Sequence, residues 1–227
     1  MCYSFKTSLI SYLIGMISGI VALFIEEYVV GMLILSYCQI QLAEAIIWRG
    51  IDTDNKELNK IGTLYGKYTL PLHMLAAGIG FLIIKQTNNK RIIIPFIIGL
   101  LFYIGVIIFY SFPISIKQNM KDSNDGLSYP SNRSCMKREC QNNENRLQWP
   151  FRDEWYILQI ILLFSLFIYY LPCKKTIVLV LFFGLTYVIS RITYQWSYSS
   201  IWCFLSAILS PILVLTLLYI KKYKNSG

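Results

Sequence analysis

Residues Val29 to Trp48 read VVGMLILSYCQIQLAEAIIW, twenty positions of which only Glu44 carries a formal charge. A helix of about 20 residues is about 30 Å long, the thickness of bilayer hydrocarbon. Lipid offers no partner to an unpaired backbone amide or carbonyl, so a run of this kind is read as a membrane-spanning helix. A carboxylate at that depth is costly unless it is paired or hydrated, which makes Glu44 a site residue by default. Tyr37, Gln41, Glu44 and Trp48 follow one another at spacings of four, three and four, so they share one helix face, and that face is expected to point into a bundle.

Six further runs have the same character, near 8–25, 69–85, 92–112, 155–171, 176–194 and 199–220. The fold class expected is therefore all-α, a seven-transmembrane-helix bundle forming one integral membrane domain over residues 1–227. With 56% hydrophobic and 15% charged residues the composition leaves the range of soluble domains in the same direction. The net charge of +9 would suggest nucleic acid in a soluble protein. Here the cations mostly punctuate apolar runs, as loops bordering a bilayer do, so the partner expected is lipid and not nucleic acid. A β-barrel would need apolar/polar alternation, which these runs lack.

Pro172-Cys173-Lys174-Lys175 separates the fifth and sixth runs and reads as a tight turn between antiparallel helices. The first run resembles a signal peptide, but Glu26 and Glu27 stand where small residues should mark a cleavage site, so a retained helix is expected. Basic residues set orientation. With the C-terminus inside, the inner side holds Lys85, Lys90, Arg91, Lys174, Lys175, Lys221, Lys222 and Lys224, against Lys6, Arg49, Lys56, Lys60 and Lys67 outside; this favours N-terminus out and C-terminus in.

Residues 114–153 form a polar extracytoplasmic loop between helices four and five in this topology. Asn132 begins an Asn-Arg-Ser sequon, a glycosylation candidate, and Cys135 and Cys140 are a candidate disulfide in an oxidising compartment. No metal site is expected, since the chain has one histidine and the loop offers only two thiols. No cofactor motif is present.

Three ionisable side chains fall within apolar runs: Glu44, His73 and Arg191. The topology sets all three toward the outer end. Glu44 is expected to be charge-paired with Arg191 or hydrogen-bonded to His73. Gln41, Trp48, Gln159, Trp202 and Cys203 lie at similar depth and complete the candidate ligand pocket. Such a pocket suits a small molecule or a lipid headgroup. The competing readings are a proton-coupled transporter or channel and a structural scaffold with no ligand. Enzymatic activity is left open: His73, Glu44 and several serines are present, without a nucleophile elbow.

The chain resembles an uncharacterised family of polytopic membrane proteins of bacteria and large DNA viruses. The resemblance lies in Met1-Cys2-Tyr3-Ser4, in Gln41-Leu42-Ala43-Glu44-Ala45 with Trp48 and Gly50, and in Ser200-Ile201-Trp202-Cys203 with Ala207 and Ser210. The family has no assigned reaction, so the resemblance implies which residues matter and not what they do. Rhodopsin-like, G-protein-coupled-receptor and zinc-hydrolase patterns do not fit: the last helix has no lysine before Lys221, Ser210-Pro211-Ile212-Leu213 stands in place of an Asn-Pro-x-x-Tyr motif, and His73 is alone.

Overall fold

The computed structural model of the chain describes residues 4–84, 93–111, 129–130, 147–148, 155–193 and 198–224. Among them the chain forms nine helices: α1 Phe5–Phe24, α2 Tyr28–Asp52, α3 Lys56–Thr69, α4 Leu72–Ile83, α5 Ile93–Ser111, α6 Trp155–Tyr170, α7 Cys173–Thr193, α8 Tyr198–Ile208 and α9 Ser210–Lys224. Two short strands, β1 Tyr129–Pro130 and β2 Leu147–Gln148, pair antiparallel within the long loop. Asn132, Cys135 and Cys140 lie outside the described residues, as does the N-terminal Met1-Cys2-Tyr3.

Four helices, α1, α2, α5 and α7, are long and apolar enough to cross a membrane, and the bent pair α8–α9 makes a fifth if counted as one span. Helices α4 and α6 are apolar but shorter. Two expected spans thus take a different form. The third, expected at 69–85, is preceded by the separate helix α3, which begins at Lys56; the seventh bends by 49° near Leu209. Pro71 explains the first break, because it has no N–H for the carbonyl of Lys67 and its ring crowds that turn. Pro211 accompanies the second in the same way, in the first turn of α9.

Helix α2 is the axis of the fold, with Leu33, Tyr37, Cys38, Ile40, Ala43, Glu44 and Ile47 all at 0% exposure. Its neighbours approach through small residues. A Cβ added at Gly15 of α1 would lie 2.6 Å from the Cβ of Cys38 and 3.3 Å from that of Ala207. Helices α3 and α4 run antiparallel along the whole of α2: Gly50 abuts Asn59, Gly62 abuts Ala43 and Ile47, and Gly80 abuts Val29. Helix α5 in turn lies antiparallel on α4, with Gly99 against Met74 and Leu75.

Helix α1 displays the inverted pattern that lipid imposes. Ser8, Ser11, Gly15, Ser18, Gly19 and Ala22 face inward, while Ile10, Leu13, Ile17, Ile20 and Phe24 are exposed. Small residues let backbones meet, and the large aliphatic side chains are left facing outward, where hydrocarbon rather than water would solvate them.

The tight turns are built from local hydrogen bonds. After α1, Glu26 N–H donates to Leu23 O and Glu27 N–H to Ala22 O, with Glu26 at φ 64°. After α2, Asp54 N–H donates to Ile51 O and Asn55 N–H to Gly50 O, with Asp54 at φ 49°. Both are Schellman closures with an acidic residue where glycine is preferred. Asn55 then caps α3, its side chain accepting from Leu58 N–H at 3.0 Å. Asp54→Gly is expected to leave stability unchanged or raise it by up to about 1 kcal/mol, and Asp54→Val to lower it by about 1–2 kcal/mol, because a β-branched side chain fits the left-handed region worst. Thermal unfolding of the two variants checks the difference.

At the end of the bundle that holds these α1–α2 and α6–α7 turns, Lys175 meets Glu27 at 2.6 and 2.8 Å, and Lys221 meets Glu26 at 2.7 Å. The hairpin between α6 and α7 is as expected, although Cys173, Lys174 and Lys175 belong to the first turn of α7 and not to the loop. Lys221 holds the Glu26 carboxyl below its ordinary value of 4.5. A depressed carboxylate contributes stability above its unfolded pKa and loses it as pH falls through the folded one, so this exposed contact is complete at neutral pH and weakens only in acid.

Candidate functional site

Seven of the eight expected pocket residues are buried: Gln41, Glu44, His73 and Cys203 at 0%, Gln159 and Trp202 at 1% and Trp48 at 5%. They come from α2, α4, α6 and α8. Glu44 lies eight residues before the end of α2, about 12 Å inside it at 1.5 Å per residue. Arg191 is the exception. It is exposed in the last turn of α7, whereas its neighbour Ser190 is at 0%, and among the described residues no ion pair joins it to Glu44. The expected Glu44–Arg191 pairing is therefore corrected: one residue along a helix is a rotation of about 100°, and that rotation turns Arg191 outward.

His73 does not bond Glu44 either. Its Nδ1 lies 3.1 Å from Ser36 Oγ and its Nε2 3.7 Å from Cys203 Sγ. Ser36 donates its one hydroxyl proton to Leu33 O at 2.7 Å, so it accepts from His73 Nδ1–H. Burial keeps the ring neutral, and in the neutral ring an Nδ1–H leaves Nε2 an acceptor, to which the Cys203 thiol donates. The thiol proton being committed, Tyr156 O–H donates to Cys203 Sγ at 3.3 Å. The result is a directed chain, Tyr156 to Cys203 to His73 to Ser36 to the Leu33 carbonyl, in which every member is neutral. A neutral imidazole with both ring nitrogens engaged carries no charge into the bundle interior. Moving the thiol proton to His73 would create an ion pair inside an apolar bundle, so the arrangement favours hydrogen bonding over a thiolate nucleophile.

Aromatic rings close the cluster. The Tyr37 ring centroid is 4.1 Å from His73 and 5.3 Å from Trp202, and Tyr156 is 5.4 Å from Trp202. Trp202 is fixed by Nε1–H, which donates to Phe183 O at 3.0 Å and Thr186 Oγ1 at 2.9 Å.

Among the described residues several buried polar atoms have no hydrogen-bond partner: the Tyr37 hydroxyl, both ends of the Gln159 amide, the Ser206 hydroxyl and Trp48 Nε1. Gln159 follows Tyr156 by three residues and Ser206 follows Cys203 by three, so each shares a helix face with a member of the chain. Tyr156, Ser36 and Thr186 were not among the expected site residues. The signal for Tyr156 was its place one turn before Gln159; Ser36 and Thr186 gave none, since serine and threonine inside helices ordinarily bond their own backbone, as both also do here. Among the described residues no group of three His, Cys, Asp or Glu side chains is placed to hold a metal ion.

No family model, no curated protein and no solved structure matches the chain.

Proposed function

We propose that the chain is an integral membrane protein of seven crossings, N-terminus out and C-terminus in, whose polar core binds a small polar molecule or a lipid headgroup. The crossing number rests on treating α3–α4 and α8–α9 as single interrupted spans. It is supported by the close contacts that run the length of α2, from Gly50 against Asn59 to Gly80 against Val29. The orientation is supported by Lys174, Lys175, Lys221, Lys222 and Lys224, all at the end that would face the cytoplasm. The family resemblance noted above belongs to the same proposal.

One observation carries the ligand reading. Buried polar groups are ordinarily hydrogen-bonded, and each left unpaired costs about 1–3 kcal/mol. Among the described residues the Tyr37, Gln159 and Ser206 side chains carry polar atoms without a partner; the Tyr37 ring lies 4.1 Å from His73, and Gln159 and Ser206 stand one turn along α6 and α8 from Tyr156 and Cys203. A bound polar molecule offering both donors and acceptors would satisfy them together. A conduction role is supported less, because toward the other end α2 buries Val29, Val30, Leu33 and Ile34, an apolar stretch with no proton-carrying side chain.

The test compares Glu44→Gln with the double variant Gln159→Leu/Ser206→Ala. With a ligand, Glu44→Gln folds normally and the protein extracted in mild detergent loses a small polar molecule that mass spectrometry finds in the wild type. The double variant is then no more stable than wild type. If the core is only packing, the double variant is stabilised by about 1–3 kcal/mol per group removed and no bound molecule is found in either protein, which ends the ligand reading.

A further inference from the structure

Helix α3 packs on the fold along one face and leaves two other stripes uncovered. Asn59, Gly62, Thr63, Gly66 and Thr69 are its buried residues, and Gly62 abuts Ala43 and Ile47 of α2. Lys56, Lys60 and Lys67 follow one another at spacings of four and seven, so they fall within about 40° on the helix wheel. Beside that cationic stripe runs an apolar one, with Ile61 57%, Leu64 42%, Tyr65 37% and Tyr68 44% exposed.

Lys67 is partly buried, yet among the described residues its ammonium meets two ring faces, Tyr110 at 4.9 Å and Tyr68 at 5.8 Å, and no carboxylate. Ring faces attract a cation but leave its three N–H donors without an oxygen. The Tyr110 ring also marks a depth. Tyr110 is one residue from the end of α5, and its ring centroid is 6.0 Å from that of Trp155, where α6 begins. One span ends and another begins at this level, as they do where hydrocarbon gives way to headgroups, and tyrosine and tryptophan are enriched at that boundary. Helical side chains lean toward the N-terminus, so the Lys67 stem leads toward Lys60, two turns above, and away from the hydrocarbon.

We propose that the Lys60–Lys67 stretch of α3 is a phospholipid-docking surface, with the phosphate between the two lysines and the first carbons of an acyl chain over Leu64 and Tyr68. The acids at this end do not compete for Lys67. Glu57, the one acid of α3, lies ten residues before it, about 15 Å along the helix, and Asp52 and Asp54 stand before the helix begins. A phosphate supplies the oxygens that the ammonium lacks, and it carries the charge that complements the lysine stripe. Inorganic phosphate would leave the neighbouring apolar stripe bare, and a neutral apolar molecule would leave Lys67 without an oxygen. A phospholipid meets both stripes at once.

The surface rests on the bilayer reading but not on the ligand proposed for the Glu44 cluster. It is tested by native mass spectrometry of the full chain in mild detergent, titrated with phosphatidylglycerol. The wild type and Lys67→Arg are expected to retain one lipid, and Lys67→Gln to hold it about fivefold more weakly while melting normally. Lys56→Gln, beside the acids, is expected to hold it as the wild type does. Leu64→Gln, at an exposed position, is expected to weaken it about threefold, and it carries the test if Lys67→Gln fails to fold. Retention at wild-type strength by Lys67→Gln or by Leu64→Gln overturns the proposal. An equal loss from Lys56→Gln and Lys67→Gln overturns it too, since that marks diffuse charge in place of a site. Displacement of the lipid by inorganic phosphate overturns the lipid as the occupant and makes the lysine stripe a free-anion surface. A chain that stays monodisperse without detergent overturns the bilayer reading itself.

Discussion

Gly80→Leu is expected to leave no folded protein, with the chain recovered as aggregate after detergent extraction. A Cβ at this position of α4 would stand 2.5 Å from Val29 Cα and 2.9 Å from Tyr28 O, so the obstacle is α2 backbone and not a side chain that could swing aside. Restoring ordinary contact requires the two helices to part by about 1 Å, and overpacking of this kind costs about 1–3 kcal/mol even for small additions. Alanine should fall in that range and leucine beyond it. Gly105 of α5 is the control: nothing lies within 4 Å of its added Cβ, so Gly105→Ala should be neutral or stabilise by up to about 1 kcal/mol through helix propensity alone. Equal melting temperatures for Gly80→Leu and wild type would refute the α2–α4 packing described above.

Lys175→Ala is the second large effect. It leaves the Glu27 carboxylate, whose side chain is 7% exposed, with its ammonium partner removed. Truncating one partner of a buried pair costs about 3–5 kcal/mol; the 31% exposure of Lys175 lets water reach the site and places the expectation near the lower figure, about 3 kcal/mol. Adding Glu27→Gln to Lys175→Ala should recover most of that loss, since the stranded charge and not the missing contact dominates. Lys221→Ala is expected to lower the melting midpoint far less than Lys175→Ala, since Glu26 is 67% exposed and the other bond of Lys221 goes to the neutral Ile25 carbonyl. If both lysine variants melt alike, burial does not distinguish the two pairs.

The apolar runs were plain in the sequence because hydrocarbon thickness imposes a length that few other structures require. The helix boundaries followed within a few residues for α1, α5, α6 and α7. Helix α3 did not, for Lys56, Glu57, Lys60 and Lys67 lower its apolar character and a scan for hydrophobic length passes over it. A reading of Asp54-Asn55 as a helix stop followed by a cap would have found its start. The bend near Leu209 was hidden because Pro211 in the first turn of a second helix and proline within one apolar run look alike without coordinates.

Within the site, the face defined by Tyr37, Gln41, Glu44 and Trp48 is indeed buried, but so is nearly every other face of α2, so the periodicity identified the residues without singling them out. For Arg191 the run was right and the rotation was not. Cys203 and His73 were each named from depth alone; that they touch depends on how α4 and α8 are docked, and side-chain spacing within one helix carries no information about that.

The glycine-matched pairing of α3–α4 with α2 also bears on how the chain is made. A ribosome delivers α2 first, and the segment that follows begins with a half rich in lysine that gains little from lipid on its own. In the proposed seven-crossing arrangement its route into the bilayer is as the second arm of a hairpin whose first arm already stands there. Chain order thus becomes part of the folding information, and synthesis of the segment without its predecessor should yield a polypeptide that the insertion machinery releases to the aqueous side.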